Sequence, residues 1–132
     1  MTERKILYAL NRIKACKEQG FLLEALLKNY HLNLDIIKYI LETCSEEYSP
    51  KDKKIKEIFH QFLEEVAVKP KLKAVLNKKN LKIVKPWLHK MEQFFKTLKM
   101  HAPSNVKALQ VETEKITGLL NISFVKLFEQ SK

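Results

Sequence analysis

The sequence predicts an all-α fold, a single-domain bundle of five or six helices spanning 1–132. Three observations carry that expectation. Apolar residues recur at spacings of three and four along most of the chain. Only two glycines and four prolines are present, too few for the tight turns of a β-protein. At 132 residues, 45% apolar and 30% charged, the chain has the length and composition of one globular domain.

Each helix has its own signal. Residues 3–18 place Ile6, Leu7, Leu10 and Ile13 on one face, and Gly20 supplies a C-terminal cap. The second helix, about Phe21 to Ser45, has the clearest pattern: Leu23, Leu27, Tyr30, Leu34, Ile37, Leu41 and Cys44 alternate by four and three. Leu22, Leu26, Leu32, Ile36, Tyr39 and Ile40 widen that stripe until only Glu24, Lys28, His31, Asp35, Lys38 and Glu42 remain as a polar strip. So apolar a helix is either central in the bundle or shared with a second copy of the protein.

EEYSPKDK interrupts the pattern, with Ser49 as a cap and Pro50 at the first helical position. A third helix then extends to Val66 on Ile55, Ile58, Phe59, Phe62 and Leu63. Lys69-Pro70 ends it, and a short helix follows at about 71–77. Asn77 to Asn80 reads as a polar turn. Pro86 reads as the start of the next helix, about 86–100, whose buried face is Trp87, Leu88, Met91, Phe94, Phe95 and Leu98. HAPSN gives the last break, with Ser104 as cap. A final helix covers about Asn105 to Phe128 through Leu109, Thr113, Ile116, Leu120, Phe124 and Leu127.

The charge is unevenly placed. Residues 1–68 hold 11 basic and 11 acidic side chains, whereas residues 69–107 hold 11 basic and one acidic, Glu92. The net charge of +10 therefore sits in under a third of the chain, which favours an anionic partner. Nearly all of it is lysine. A compact ammonium suits backbone phosphate better than base reading, because it lacks a bidentate fork. The candidate nucleic-acid-binding set is Lys71, Lys73, Lys78, Lys79, Lys82, Lys85, His89, Lys96 and Lys99, with RNA or DNA backbone as the expected partner. Two alternatives stand beside it. The lysines serve only solubility, or the second helix is a homodimer or protein-partner interface.

Enzyme motifs are sparse. Glu57 and His60 have the Glu-x-x-His spacing of paired-metal bundles, but the helical wheel turns both to water, so no metal is expected. His31 and Asp35 are spaced for a general-base pair, yet both lie in the polar strip of the second helix. Two glycines cannot build a phosphate loop, and no cofactor is expected. Cys16 and Cys44 form no CxxC pair and read as reduced core residues of a cytoplasmic protein. No apolar run reaches the ~20 residues of a membrane span, and the N-terminus lacks the apolar segment of a signal peptide.

The run Gly20-Phe21-Leu22-Leu23-Glu24-Ala25, with the long apolar helix it opens and the terminal helix, resembles small prokaryotic HEPN-like domains. The resemblance implies a compact helical bundle, often dimeric. It also implies a role among RNA-cleaving toxins or defence systems that pair with nucleotidyltransferase-like antitoxins. Active members of that family use an arginine followed closely by a histidine. Neither Arg4 nor Arg12 is so followed, and the nearest arrangement is Lys82 with His89. The resemblance therefore implies a non-cleaving relative; were the chain an enzyme, it would be a ribonuclease with His89 at its site.

Overall fold

Thr2 begins the first helix. Its Oγ1 accepts a hydrogen bond from the Lys5 N–H at 3.2 Å and satisfies one of the amides that a helix start leaves free. The computed structural model describes residues 2–44, 54–76, 78–97 and 102–130. Among these, every regular element is a helix: α1 (Glu3–Glu18), α2 (Leu22–Cys44), α3 (Ile55–Val68), α4 (Pro70–Val75), α5 (Lys78–Lys96) and α6 (Pro103–Gln130).

Helix α1 ends as its sequence predicts. Gly20 adopts φ +81°, its N–H reaches the Lys17 carbonyl at 3.1 Å, and the Phe21 N–H reaches the Cys16 carbonyl at 2.8 Å. These two bonds form a Schellman closure, and glycine reaches that left-handed backbone without a Cβ penalty. Ile6 and Ile13 are buried, but Leu7 is exposed. A helix on the edge of a bundle buries a narrower arc than its sequence offers.

Helix α2 is central. Leu26, Leu32, Leu34, Ile36, Ile37, Ile40 and Leu41 are all buried, and α1, α3 and α6 pack around them. The apolar excess on this helix is thus covered by its own chain. Of the surface on which a dimer through this helix would rest, Phe21 and Leu23 at its start stay exposed. The polar strip is as read: Glu24, His31, Asp35 and Glu42 are exposed, and Glu24 pairs with Lys28 at 3.5 Å.

The α2–α6 interface is not purely apolar. Asn29, Asn33, Thr113 and Thr117 are buried there. Asn33 Nδ2 donates to the Thr113 carbonyl at 3.3 Å, and Thr117 Oγ1 lies 2.5 Å from Asn33 Oδ1 and 2.6 Å from the Asn29 carboxamide. The Thr113 carbonyl at 2.8 Å is a third acceptor around the same hydroxyl, so one proton is contested by three oxygens. Thr113 Oγ1 donates to the Leu109 carbonyl at 2.6 Å and accepts from Trp87 Nε1 at 2.9 Å, which ties α5 into the same network.

Ile58, Phe59, Phe62 and Val66 bury the inner face of α3, whereas Ile55 stays partly open at its first turn. The Glu57 carboxylate accepts from the Lys54 N–H at 3.4 Å and caps the start. The expected cap at Ser49 and Pro50 lies outside the described residues, as does Leu98 and the side chains of Cys44 and Leu127.

The largest departure from the sequence reading is α5. It starts at Lys78 rather than Pro86, so Lys78 to Asn80 are helical rather than a turn, and Pro86 lies inside the helix. An interior proline costs about 3 kcal/mol, because it removes one N–H and crowds the preceding turn. Burial offsets that cost: Val84, Trp87, Met91 and Phe94 are at most 1% exposed and continue the spacing of three and four across the proline. Pro86 itself is exposed, on the side of α5 away from that buried row. Helix α6 starts earlier than expected, with Pro103 in its first turn and Ser104 already helical. Leu109, Thr113, Ile116, Leu120 and Phe124 are buried as read.

Candidate nucleic-acid interface

The core side of α5 fixes where its charges go. At about 100° per residue, Val84, Trp87, Met91 and Phe94 centre on one side of the helix. Lys82, Lys85, His89 and Lys96 fall within an arc of about 60° on nearly the opposite side. All four are exposed. They form a stripe about 21 Å long at 1.5 Å per residue. No carboxylate among the described residues comes within ion-pair distance of the three lysines. Glu92 shares the edge of the arc and is half-buried.

The rest of the expected set divides. Lys73 is exposed on α4, a separate element. Lys71, Lys78 and Lys79 lie in helices, but their side chains are outside the described residues, and Lys99 is outside them altogether. Two other lysines of the basic stretch are paired: Lys90 with Glu112 of α6, and Lys69 with Glu65 at 3.9 Å.

Helix α3 adds groups that the charge count did not reveal. Lys56 and His60 line a groove of about 200 Å³ with Lys85, His89 and Glu92 of α5. His60 Nε2 lies 3.0 Å from Glu64 on the solvent side, and Glu57 is also exposed, so the Glu-x-x-His spacing points away from the core. A second groove, of about 400 Å³, shares Lys56, Phe59, Leu88 and Glu92 with the first and leads between α2, α3 and α5. Its walls include Tyr30, Met91 and Phe95, and His31 and Lys96 stand among its lining residues.

Trp87 and Phe94 are core, as the sequence predicts, but Phe95 is 50% exposed. At about 100° per residue Phe95 falls close to the direction of the buried Val84, so the two differ in how neighbouring helices cover them and not in the face they occupy. Phe95 stands edge-to-face with Tyr30 at 5.1 Å and with Phe94 at 5.7 Å. His31 stands against the Tyr30 ring at 5.8 Å rather than serving Asp35; both are exposed.

Burial, and secondarily the Glu92 charge, pushes the Tyr30 phenol up to about 12. The raised value means the folded state holds this proton after the unfolded chain has lost it. Tyr30 thus stabilises the fold fully below pH ~10, and that contribution is lost as pH rises from ~10 to ~12. Denaturant melts across this window will show falling stability, with a shallower fall in Tyr30→Phe. Equal slopes in the two proteins would remove Tyr30 as the cause.

Among the described residues no helix is long and apolar enough to cross a membrane. No protein-family model, curated protein or solved structure matches the chain.

Proposed function

We propose that this protein is a non-catalytic helical module that binds the phosphate backbone of RNA or DNA along α5. The observation that carries the reading is the exposed stripe of Lys82, Lys85, His89 and Lys96, whose lysines meet no carboxylate at pairing distance among the described residues. The concentration of cations along this one face, with so few acids beside it, is the charge distribution that a polyanion meets favourably. Lys56 extends the positive edge onto α3. Lysine ammonium groups fit phosphate oxygens as point charges, so affinity without strong sequence preference follows. The helical layout, with its long second and last helices, supports the HEPN-like resemblance, and the missing arginine–histidine pair supports a non-cleaving member.

Fluorescence anisotropy of a labelled oligonucleotide across a salt series tests the proposal. Log affinity should fall with log salt by about 0.7 per phosphate contacted on a single strand and about 0.9 on a duplex. A flat response, or no binding at low salt, would reject it.

A second reading has one observation in its favour. His60 and His89 line the same groove as Lys85, the residue types of metal-free acid–base cleavage of RNA. Under that reading the purified protein cuts RNA, spares DNA, and loses the activity in His89→Ala. Intact RNA after prolonged incubation, or undiminished cleavage by the variant, eliminates this role.

A further inference from the structure

We infer that the aromatic groove between α2, α3 and α5 receives an unpaired base, so that the nucleic acid held on the α5 stripe is single-stranded. The inference rests on the backbone-binding reading and adds the class of nucleic acid to it. Phe95 is its centre. Phe95 is 50% exposed, high for so large an apolar residue. Edge-to-face contacts with Tyr30 and Phe94 hold the ring at a set tilt. The groove it borders is about 400 Å³, within the range of small-molecule sites, and Phe59, Leu88 and Met91 give it apolar walls.

The surroundings select a nucleotide over a purely apolar guest. Lys56, His31 and Lys96 line the same groove, against one acid, Glu92. Lys96 also belongs to the stripe, so a strand whose phosphates follow Lys85 and Lys96 passes over the groove opening. A base turned inward there stacks on Phe95, and its sugar-phosphate remains with the lysines. That combination of a cationic track and an aromatic platform is how single strands are held without sequence reading. A duplex keeps its bases stacked on each other and offers Phe95 no face.

The test compares one labelled oligonucleotide as a single strand and annealed to its complement, at the same salt, with the wild-type chain, Phe95→Ala, Phe95→Trp and the triple variant Lys82→Ala/Lys85→Ala/Lys96→Ala. Phe95→Ala should weaken single-strand binding about tenfold or more with an unchanged salt slope, leave duplex binding within about twofold, and be rescued by Phe95→Trp. The triple variant should weaken both forms. Circular dichroism confirms that each variant is folded. Single-strand binding by Phe95→Ala equal to the wild type, or wild-type preference for the duplex, overturns the inference while leaving the backbone reading intact. Failure of the wild type to bind either form overturns both.

Discussion

Trp87→Ala is expected to destabilise the fold by about 4 kcal/mol, since removing a buried aromatic ring typically costs 3–5 kcal/mol. Trp87 is 1% exposed and contacts Tyr30 and Phe59 at ring-centroid separations of 6.0 Å each. Its indole N–H also donates to Thr113 Oγ1, so the variant loses a buried hydrogen bond as well as a ring. Domains of this kind have stabilities of about 5–15 kcal/mol, so the loss is a large share of the total. The thermal midpoint should drop by roughly 10–20 °C. Trp87→Phe keeps most of the packing and loses the donor, and should cost about 1–2 kcal/mol. Urea denaturation followed by circular dichroism measures both variants. A loss below about 1.5 kcal/mol for Trp87→Ala would mean that this ring is not in the core. Because α5 carries Trp87 inward and the lysine stripe outward, that outcome would also undo the placement of the stripe.

The second large effect concerns binding. Lys82→Ala/Lys85→Ala/Lys96→Ala should lower the slope of log affinity against log salt by about 2 on a single strand, from ~0.7 for each of three contacts. Affinity at low salt should fall at least tenfold. Stability should change by no more than about 0.5 kcal/mol, because all three side chains are exposed and alanine favours the helix. Lys90→Ala is the matched control. Lys90 lies outside the arc and is paired with Glu112 on α6, so its removal should leave the slope nearly unchanged. Equal effects from Lys90 and from the members of the stripe would show that only total charge matters, and the directed surface would be abandoned.

Much of this architecture is legible in the sequence because it depends on local periodicity. The α2 pattern, the Gly20 closure and the Leu109–Phe124 face of α6 each follow from spacing or from one residue's backbone freedom. Errors arise where the bundle overrides a local rule. Proline reads as a helix start, but the spacing from Val84 to Phe94 crosses Pro86 unbroken, and packing along that line outweighs the lost amide. Leu7, Leu23 and Ile55 satisfy helical patterns yet remain exposed, since periodicity gives a face without saying how much of it a neighbour covers. The site divides in the same way. Lys85, His89 and Lys96 share a face by spacing alone, whereas Lys82 joins them only because α5 begins before Pro86. Lys56, His60 and Tyr30 come from α3 and α2, within the half of the chain whose charges balance, and packing alone brings them to α5. Helical spacing puts Phe95 on the apolar face of α5, but spacing does not say how far neighbouring helices cover that face, and there Phe95 stays 50% exposed.

The buried amides and hydroxyls between α2 and α6 have a further consequence. Leucines and isoleucines along two long rods tolerate sliding by one turn, about 5.4 Å, because one aliphatic row resembles the next. Asn29, Asn33, Thr113 and Thr117 do not tolerate it: any slip strands several polar atoms away from water at roughly 1–3 kcal/mol each. They act as a vernier that admits one axial alignment. Through Trp87 the same setting passes to α5 and fixes where its outward cations stand relative to the aromatic groove.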